Sequence, residues 1–323
     1  MISISSSSSL ETIFDFNWEI LIVLDACRYD YCTAALKYFM KGKTIKIKSV
    51  GSCTLEWLKN TFKNRYFEDL IYISGNPYIN KLSCKNFTQF CARDHLDKNK
   101  IIEGFKTCWV YPGTTDPICL SQKSIIVKEY YNTVSSIKKI IIHYLQPHAP
   151  YIMYKYDIVA NDPIEWIKDS SYIYRDQMSI IRKKLFKIYR IFERRLISIN
   201  WLPNLTYLSL RDLFDFPPAY PTDQFRRLYG LKELKNAYLR NLLCVLNVVS
   251  SIVKLLLEDG QLVAITSDHG ECLGENGWLD HPCYKNIDIL RDVFIFYPEK
   301  VIRYDKKLYN RLRLIKHIRN KFK

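Results

Sequence analysis

The segment Leu262-Val-Ala-Ile-Thr-Ser-Asp-His-Gly-Glu271 places two reactive side chains next to each other. Its β-branched apolar run reads as a buried strand that stops at Thr266-Ser267 and delivers Asp268 and His269 into a turn containing Gly270. A carboxylate beside an imidazole is costly at the end of a buried strand unless something neutralises the acid. A divalent cation does so and also uses the imidazole lone pair. The plainer alternative has Asp268 capping a helix and His269 exposed.

Further segments offer the same kind of chemistry. Asp25 closes the run Glu19-Ile-Leu-Ile-Val-Leu24 and is read as a hard oxygen ligand for that cation, or else as a helix cap. After Gly51, the residues Ser52, Cys53 and Thr54 are consecutive nucleophile-capable side chains at the start of a helix predicted over 55–62. A helix N-terminus lowers the pKa of a thiol or hydroxyl placed there, and a bound metal lowers it further. Capping by Ser52 or Thr54 is the alternative. His143-Tyr-Leu-Gln-Pro-His148-Ala-Pro150 follows another Ile run, and Asp280-His281-Pro282 follows the turn from Gly270 to Gly277. Four of the six histidines thus fall after strand-like runs or in the adjoining turn, which points to a metal or oxyanion site.

These residues need a scaffold that gathers strand ends. Runs at 19–24, 44–50, 70–74, 139–143, 262–265 and 293–296, spaced by helical patterns, predict an α/β protein with a mostly parallel sheet covered on both faces. Ligands of such sheets bind outside the carboxyl ends of the strands. The pattern changes between 152 and 235, which reads as a helical cap insertion; Ser179 to Ile199 within it is a helix rich in Lys and Arg. Lys235 to Glu258 is a long helix stopped by Asp259-Gly260. Its apolar part, Leu242 to Leu257, is broken by Asn247, Ser250, Ser251 and Lys254, so it reads as a buried amphipathic helix and not a membrane span. The domain reading is one catalytic domain over 1–302 and a basic C-terminal helix over 303–323. In that tail Leu308, Leu312, Ile315 and Ile318 recur at helical spacing.

The 323 residues are 48% hydrophobic, enough for a large core. A net charge of +15 favours anionic partners: phosphate or sulfate esters, acidic lipid surfaces or nucleic acid. No RNA- or DNA-binding signature appears, which disfavours the last. The ten cysteines form no CxxC pair and match no zinc-ribbon spacing, and the N-terminus lacks a basic and apolar leader. Free thiols and a cytoplasmic location are the resulting expectations.

The order of these motifs resembles the alkaline phosphatase/sulfatase superfamily, in its archaeal-type sulfatase-like pattern. The resemblance covers residues 18 to 297: Asp25 with Arg28, the Gly-Ser-Cys-Thr-Leu-Glu-Trp turn, His-x4-His-x-Pro, Ala237-Tyr238 with Asn241-Leu242, and Thr-Ser-Asp-His-Gly-Glu. It implies a three-layer α/β sandwich, alkaline phosphatase-like, and a metal-bound nucleophile at a strand edge. Asp25, Asp268, His269 and the nucleophile would form the main metal site, with His148 and His281 holding a second metal or the substrate oxyanion. His143, His148 and Arg28 would bind substrate. One or two ions are implied, with zinc or manganese suited to mixed carboxylate and imidazole ligands and calcium disfavoured. Cys53 lacks the Cys-x-Pro-x-Arg context that formylglycine formation uses in sulfatases. The nucleophile ranking is Cys53, then Thr54, then Ser52.

The expected activity is metal-dependent hydrolysis of phosphate or sulfate esters on an anionic small-molecule, glycan or lipid substrate. The alternatives are phosphoryl transfer to a glycan or lipid, or a non-catalytic basic protein that binds nucleic acid or acidic membrane. Peripheral membrane contact is assigned to the basic tail.

Overall fold

The computed structural model describes residues 12–83, 89–132, 137–156, 163, 179–199, 201–301 and 304–321. Its main sheet contains β1 (Ile20–Asp25), β2 (Met40–Lys48), β3 (Leu70–Ser74), β4 (Ile101–Glu103), β7 (Lys139–Pro147), β8 (Val263–Ser267) and β11 (Asp292–Val301). Two short ladders lie outside it, β5 (Trp109–Val110) with β6 (Thr114–Thr115), and β9 (Cys272–Leu273) with β10 (Leu279–Asp280). The order across the sheet is β2-β11-β8-β1-β7-β3-β4. Only β11 runs against its neighbours, so the sheet is mostly parallel, as the apolar runs predicted.

Every residue of β1 is buried, because a central strand of such a sheet is covered on both sides. Its period-two alternation divides the core. Ile20, Ile22 and Leu24 pack with the helices Tyr29–Leu36, Pro117–Tyr131 and Pro221–Glu258. Leu21 and Val23 face the other way, onto Trp57, Leu58 and Phe62 of the Thr54–Phe62 helix. Helices therefore cover both faces, the three-layer α/β arrangement. Edge strand β2 instead exposes lysines, which discourages pairing with another sheet.

The Pro221–Glu258 helix begins earlier than the sequence predicts and is broken at Gly230, whose φ of 81° only glycine adopts freely. By length and composition its apolar part would suit a bilayer, with mean hydropathy 1.7, but 67% of that window is buried in the protein. In the C-terminal helix Lys306–Lys321, Leu308, Tyr309 and Leu312 join the core, so this face of the basic tail is packed. The side chains of Ile315 and Ile318 lie outside the described ones, as do residues 157–162 and 164–178 of the expected cap. The described part of that region includes the helices Ile180–Ile197 and Leu205–Leu213. Tyr151, Tyr207, Leu208 and Phe225 form a separate apolar cluster with Leu273 and Leu279, beyond the strand ends that carry the site.

Candidate active site

Strand register brings the predicted residues together. In the β1–β8 pair Leu24 lies opposite Ser267, so Asp25 and Asp268 leave adjacent strands side by side. In the β3–β7 pair Ser74 lies opposite His143, which sets both Asn76 and His143 beside Asp25. The loop after β1 turns through Ala26, whose left-handed φ of 56° is uncommon for a residue with a Cβ. Its N–H donates to Asp268 Oδ1 at 3.1 Å. Gly270 is required by close approach: a Cβ there would lie 2.0 Å from the Ile289 carbonyl oxygen.

Asp25 accepts from Asn76 Nδ2 at 2.6 Å through Oδ2, and its Oδ1 lies 3.5 Å from His269 Nε2. Asp268 Oδ1 also accepts the His269 N–H at 2.9 Å, while its buried Oδ2 has no hydrogen-bond partner. His269 Nδ1 donates to the Gly270 carbonyl at 2.8 Å, which leaves the Nε2 lone pair facing the carboxylates. Burial holds this imidazole down to a pKa of about 4, so it is neutral at pH 7. The Thr54 hydroxyl completes the group, 3.1 Å from His269 Nε2 and 3.4 Å from Asp25 Oδ1.

His143 corrects its expected place at the substrate. It is fully buried, with Nδ1 2.8 Å from the Tyr72 hydroxyl. Its Nε2 has no hydrogen-bond partner and lies 4.0 and 3.9 Å from Asp25 and Asp268. Burial lowers its pKa to about 4 as well. His143 therefore sits behind the two carboxylates and not among the residues lining the cavity.

His148 and His281 meet beside this group, with ring centroids 4.8 Å apart and the His281 ring 4.5 Å from that of His269. His281 Nδ1 lies 2.7 Å from Asp280 Oδ1 and 3.2 Å from Glu271 Oε2. Burial opposes its charge, but these two acids raise its pKa well above the ordinary imidazole value. His148 goes the other way, to about 3, through burial and then the neighbouring His281. The two neighbouring imidazoles are thus pushed in opposite directions. Burial also raises Glu271 to about 8.

The donors fit a divalent cation at two places. Asp25, His143 and Asp268 converge, as do His148, Glu271, Asp280 and His281, with ligand atoms within 4.8 Å of one another in each set. The unpaired Asp268 Oδ2 and the unpaired His143 Nε2, with the His269 Nε2 lone pair beside them, are what a cation needs. Charge agrees. Burial and then the nearby Asp268 raise the Asp25 pKa well above its ordinary value, a conflict that a cation removes.

The nucleophile ranking is overturned. Cys53 Sγ is bonded to Cys283, with Cα atoms 5.1 Å apart, so it is no thiolate. Ser52 Oγ donates to Glu56 at 2.8 Å and accepts the Lys285 N–H, tying the turn to the 282–285 loop and away from the carboxylates. Thr54 alone of the three reaches them. Arg28 is also corrected: its guanidinium is buried in ion pairs with Asp30 and Glu275, each at 2.7 Å, and it does not line the cavity. Tyr238 and Asn241 act as positioning residues. The Tyr238 hydroxyl bridges Ala26 and Arg28, and Asn241 donates to the carbonyls of Pro147 and His148. Asn76 was not singled out from sequence, and Glu271 and Asp280 stood only inside motifs, with no role assigned. Asn76 carried a readable signal, since it follows the apolar run of β3 as Asp25 follows that of β1.

The group opens into a cavity of about 690 Å³. Asp25, Thr54, Asn76, His148 and His281 line its polar end, and Tyr78, Tyr207, Tyr220 and Trp278 line its walls.

The cysteines overturn the expectation of free thiols in a reducing cytoplasm. Cys53–Cys283 and Cys108–Cys119 are disulfides, and Cys91 is disulfide-bonded too, while Cys27, Cys32, Cys244 and Cys272 are free. Structural disulfides of this kind persist in oxidising compartments.

No family model and no curated protein matches the chain. Solved structures do. The soluble domain of lipooligosaccharide phosphoethanolamine transferase A from Neisseria meningitidis is 13% identical, with 91% of this chain and 78% of that chain covered and a TM-score of 0.44. In its integral membrane form, 12% identical at a TM-score of 0.43, 92% of this chain covers 50% of the other. The C-terminal periplasmic domain of EptC from Escherichia coli, in complex with Zn, is 11% identical over 90% of this chain and 78% of that one, at a TM-score of 0.41. BT1596, a 2-O GAG sulfatase, is 10% identical over 86% and 63%, at 0.46. The seven-stranded, mostly parallel sheet, covered by helices on both faces with the constellation at its edge, is the three-layer α/β architecture that the sequence resemblance implied.

Proposed function

We propose that this protein is a divalent-metal-dependent enzyme that acts on phosphate or sulfate esters, with Thr54 as its nucleophile and an oxidising compartment as its location. The observation that carries the reading is the Thr54 hydroxyl, 3.1 Å from His269 Nε2 and 3.4 Å from Asp25 Oδ1, at the polar end of the cavity. Asp25, Asp268 and His269 would hold the ion, and zinc or manganese suits this donor set. When bound, the cation would lower the pKa of the hydroxyl and neutralise charge on the ester oxygens.

Thr54 opens the Thr54–Phe62 helix, so free N–H groups of its first turn favour negative charge near the attacking oxygen. Thr54 enters as the alkoxide, its proton already given up to solvent. The oxygen attacks phosphorus or sulfur in line, and the bond to the leaving oxygen breaks with its electron pair. His281, whose affinity for a proton is held up chiefly by Asp280, protonates that leaving oxygen. The neutral His281 then takes a proton from an incoming hydroxyl, whose oxygen releases the group from Thr54. Water gives hydrolysis; a sugar or lipid hydroxyl gives transfer. The aromatic walls suit a substrate with a glycan or lipid body behind its anionic head. The net charge of +15 steers such anions toward the protein.

The test is a screen of the zinc- and manganese-loaded protein against phosphomonoesters, phosphodiesters and sulfate esters, with and without an alcohol acceptor. The wild type is expected to turn over one class and to show a mass adduct on Thr54. Equal turnover by Thr54→Ala would remove Thr54 from the mechanism.

A further inference from the structure

We propose that the Ile180–Ile197 helix is an interfacial helix that docks this protein on an anionic lipid bilayer. A surface helix of a globular protein has one apolar stripe and buries it. This helix has two. Phe186 and Tyr189 turn inward onto Phe216, and Glu193 is buried in an ion pair with Arg211. Ile181, Leu185, Ile188 and Phe192, at steps of four, three and four, form a second stripe left open among the described residues: they are 73%, 53%, 66% and 50% exposed. Further exposed apolar side chains follow in the sequence, Trp201, 78% exposed, and then Leu213 and Phe214. The Arg182–Asp215 ion pair holds the residues after Phe214 against the first turn.

The charges around the stripe decide what covers it. Arg182, Lys183, Lys184, Lys187, Arg190, Arg194 and Arg195 lie on this helix, and its one acid, Glu193, is buried and paired. A second copy docked face to face would set two such rows of cations against each other. A nucleic acid would satisfy the cations but leave the Ile, Leu and Phe stripe in water. An anionic bilayer satisfies both: apolar side chains enter the acyl boundary while Lys and Arg reach headgroup phosphates. An exposed tryptophan four residues after the helix, Trp201, suits the headgroup level. The basic tail, assigned this role from sequence, instead packs Leu308, Tyr309 and Leu312 into the core. Ile197, at the last turn of the docking helix, lines the Thr54 cavity. Docking would therefore bring that cavity near lipid, a consequence that rests on the proposed ester chemistry, whereas the docking itself does not.

The test is cosedimentation of the full chain with vesicles of phosphatidylcholine alone or with about 30% phosphatidylglycerol, at about 0.15 M salt. Wild type is expected to pellet with the anionic vesicles only, less as salt rises. Ile188→Glu with Phe192→Glu, both exposed and so without cost to the fold, is expected to bind at least about tenfold more weakly. The conservative Ile188→Leu with Phe192→Trp should retain binding, and Thr54→Ala should pellet like wild type. Failure of wild type to pellet, equal binding to neutral vesicles, or equal binding by the glutamate variant would overturn the proposal. A dimer on gel filtration that the glutamate variant dissolves would also overturn it and give the stripe to a second copy.

Discussion

The Thr54 hydroxyl and the His269 Nε2 atom lie 3.1 Å apart, although 215 residues separate them in the chain. The hydroxyl has one proton and two acceptors within reach, His269 and Asp25, both buried. Thr54→Ala should lower turnover of the ester substrate by about a thousandfold or more, as loss of a nucleophile does. Thr54→Ser keeps the oxygen and should retain measurable turnover. Steady-state rates of the metal-loaded variants decide this, and a Ser variant as inactive as Ala would count against the hydroxyl.

The Cys53–Cys283 bond joins the turn before Thr54 to the loop after His281, closing a loop of 230 residues. Constraining so long a loop in the unfolded chain stabilises the fold by about 2–4 kcal/mol. Cys53→Ser with Cys283→Ser should therefore melt at lower temperature yet keep turnover, because neither sulfur attacks the substrate. A stability titration beside an activity assay separates the two effects. Abolished turnover in a folded double variant would return Cys53 to the chemistry.

The fold and the carboxylate–imidazole group were legible because both follow from strand ends. Parallel strands finish on one edge, so Asp25, Asp268 and His269 had to be neighbours once their runs were recognised as strands. The identity of the nucleophile was not legible. Ser52, Cys53 and Thr54 begin one helix in different directions, and only the packed structure shows which reaches Asp25. Cysteine spacing gave no hint of a partner 230 residues away. Arg28 misled for the same reason, since its partner Glu275 lies 247 residues later. The short strand Ile101–Glu103 escaped because three residues carry no periodicity.

Asp259 ends the Pro221–Glu258 helix, where a carboxylate opposes the helix dipole. Burial would raise its pKa, but hydrogen bonds from Lys316 and Lys128, the latter at 3.0 Å, hold it below the ordinary 3.8. A folded-state pKa below the unfolded value means stability that is full above about pH 4 and lost as pH falls through the lower folded value. Asp259→Asn should cost about 2 kcal/mol at pH 7, partly because Lys128 stays buried with Glu129 as its remaining partner. Denaturant titrations of both proteins should converge in acid. A gap that stayed constant with pH would show that the carboxylate charge contributes nothing.

Asp25 and Asp268 are buried side by side with one unpaired oxygen, so the folded protein should be destabilised without a cation and relieved by one. Elemental analysis of the purified protein should find zinc or manganese, and chelation should lower its melting temperature. At ion concentrations near a hundred times Kd the lost stabilisation is about 3 kcal/mol. Asp268→Asn removes both a ligand oxygen's charge and the repulsion on Asp25. This variant should bind less metal, and its melting point should barely respond to chelator. If Asp268→Asn and wild type lose the same number of degrees on chelation, the stabilising ion sits elsewhere, and the His148, Glu271, Asp280 and His281 group becomes the place to mutate next.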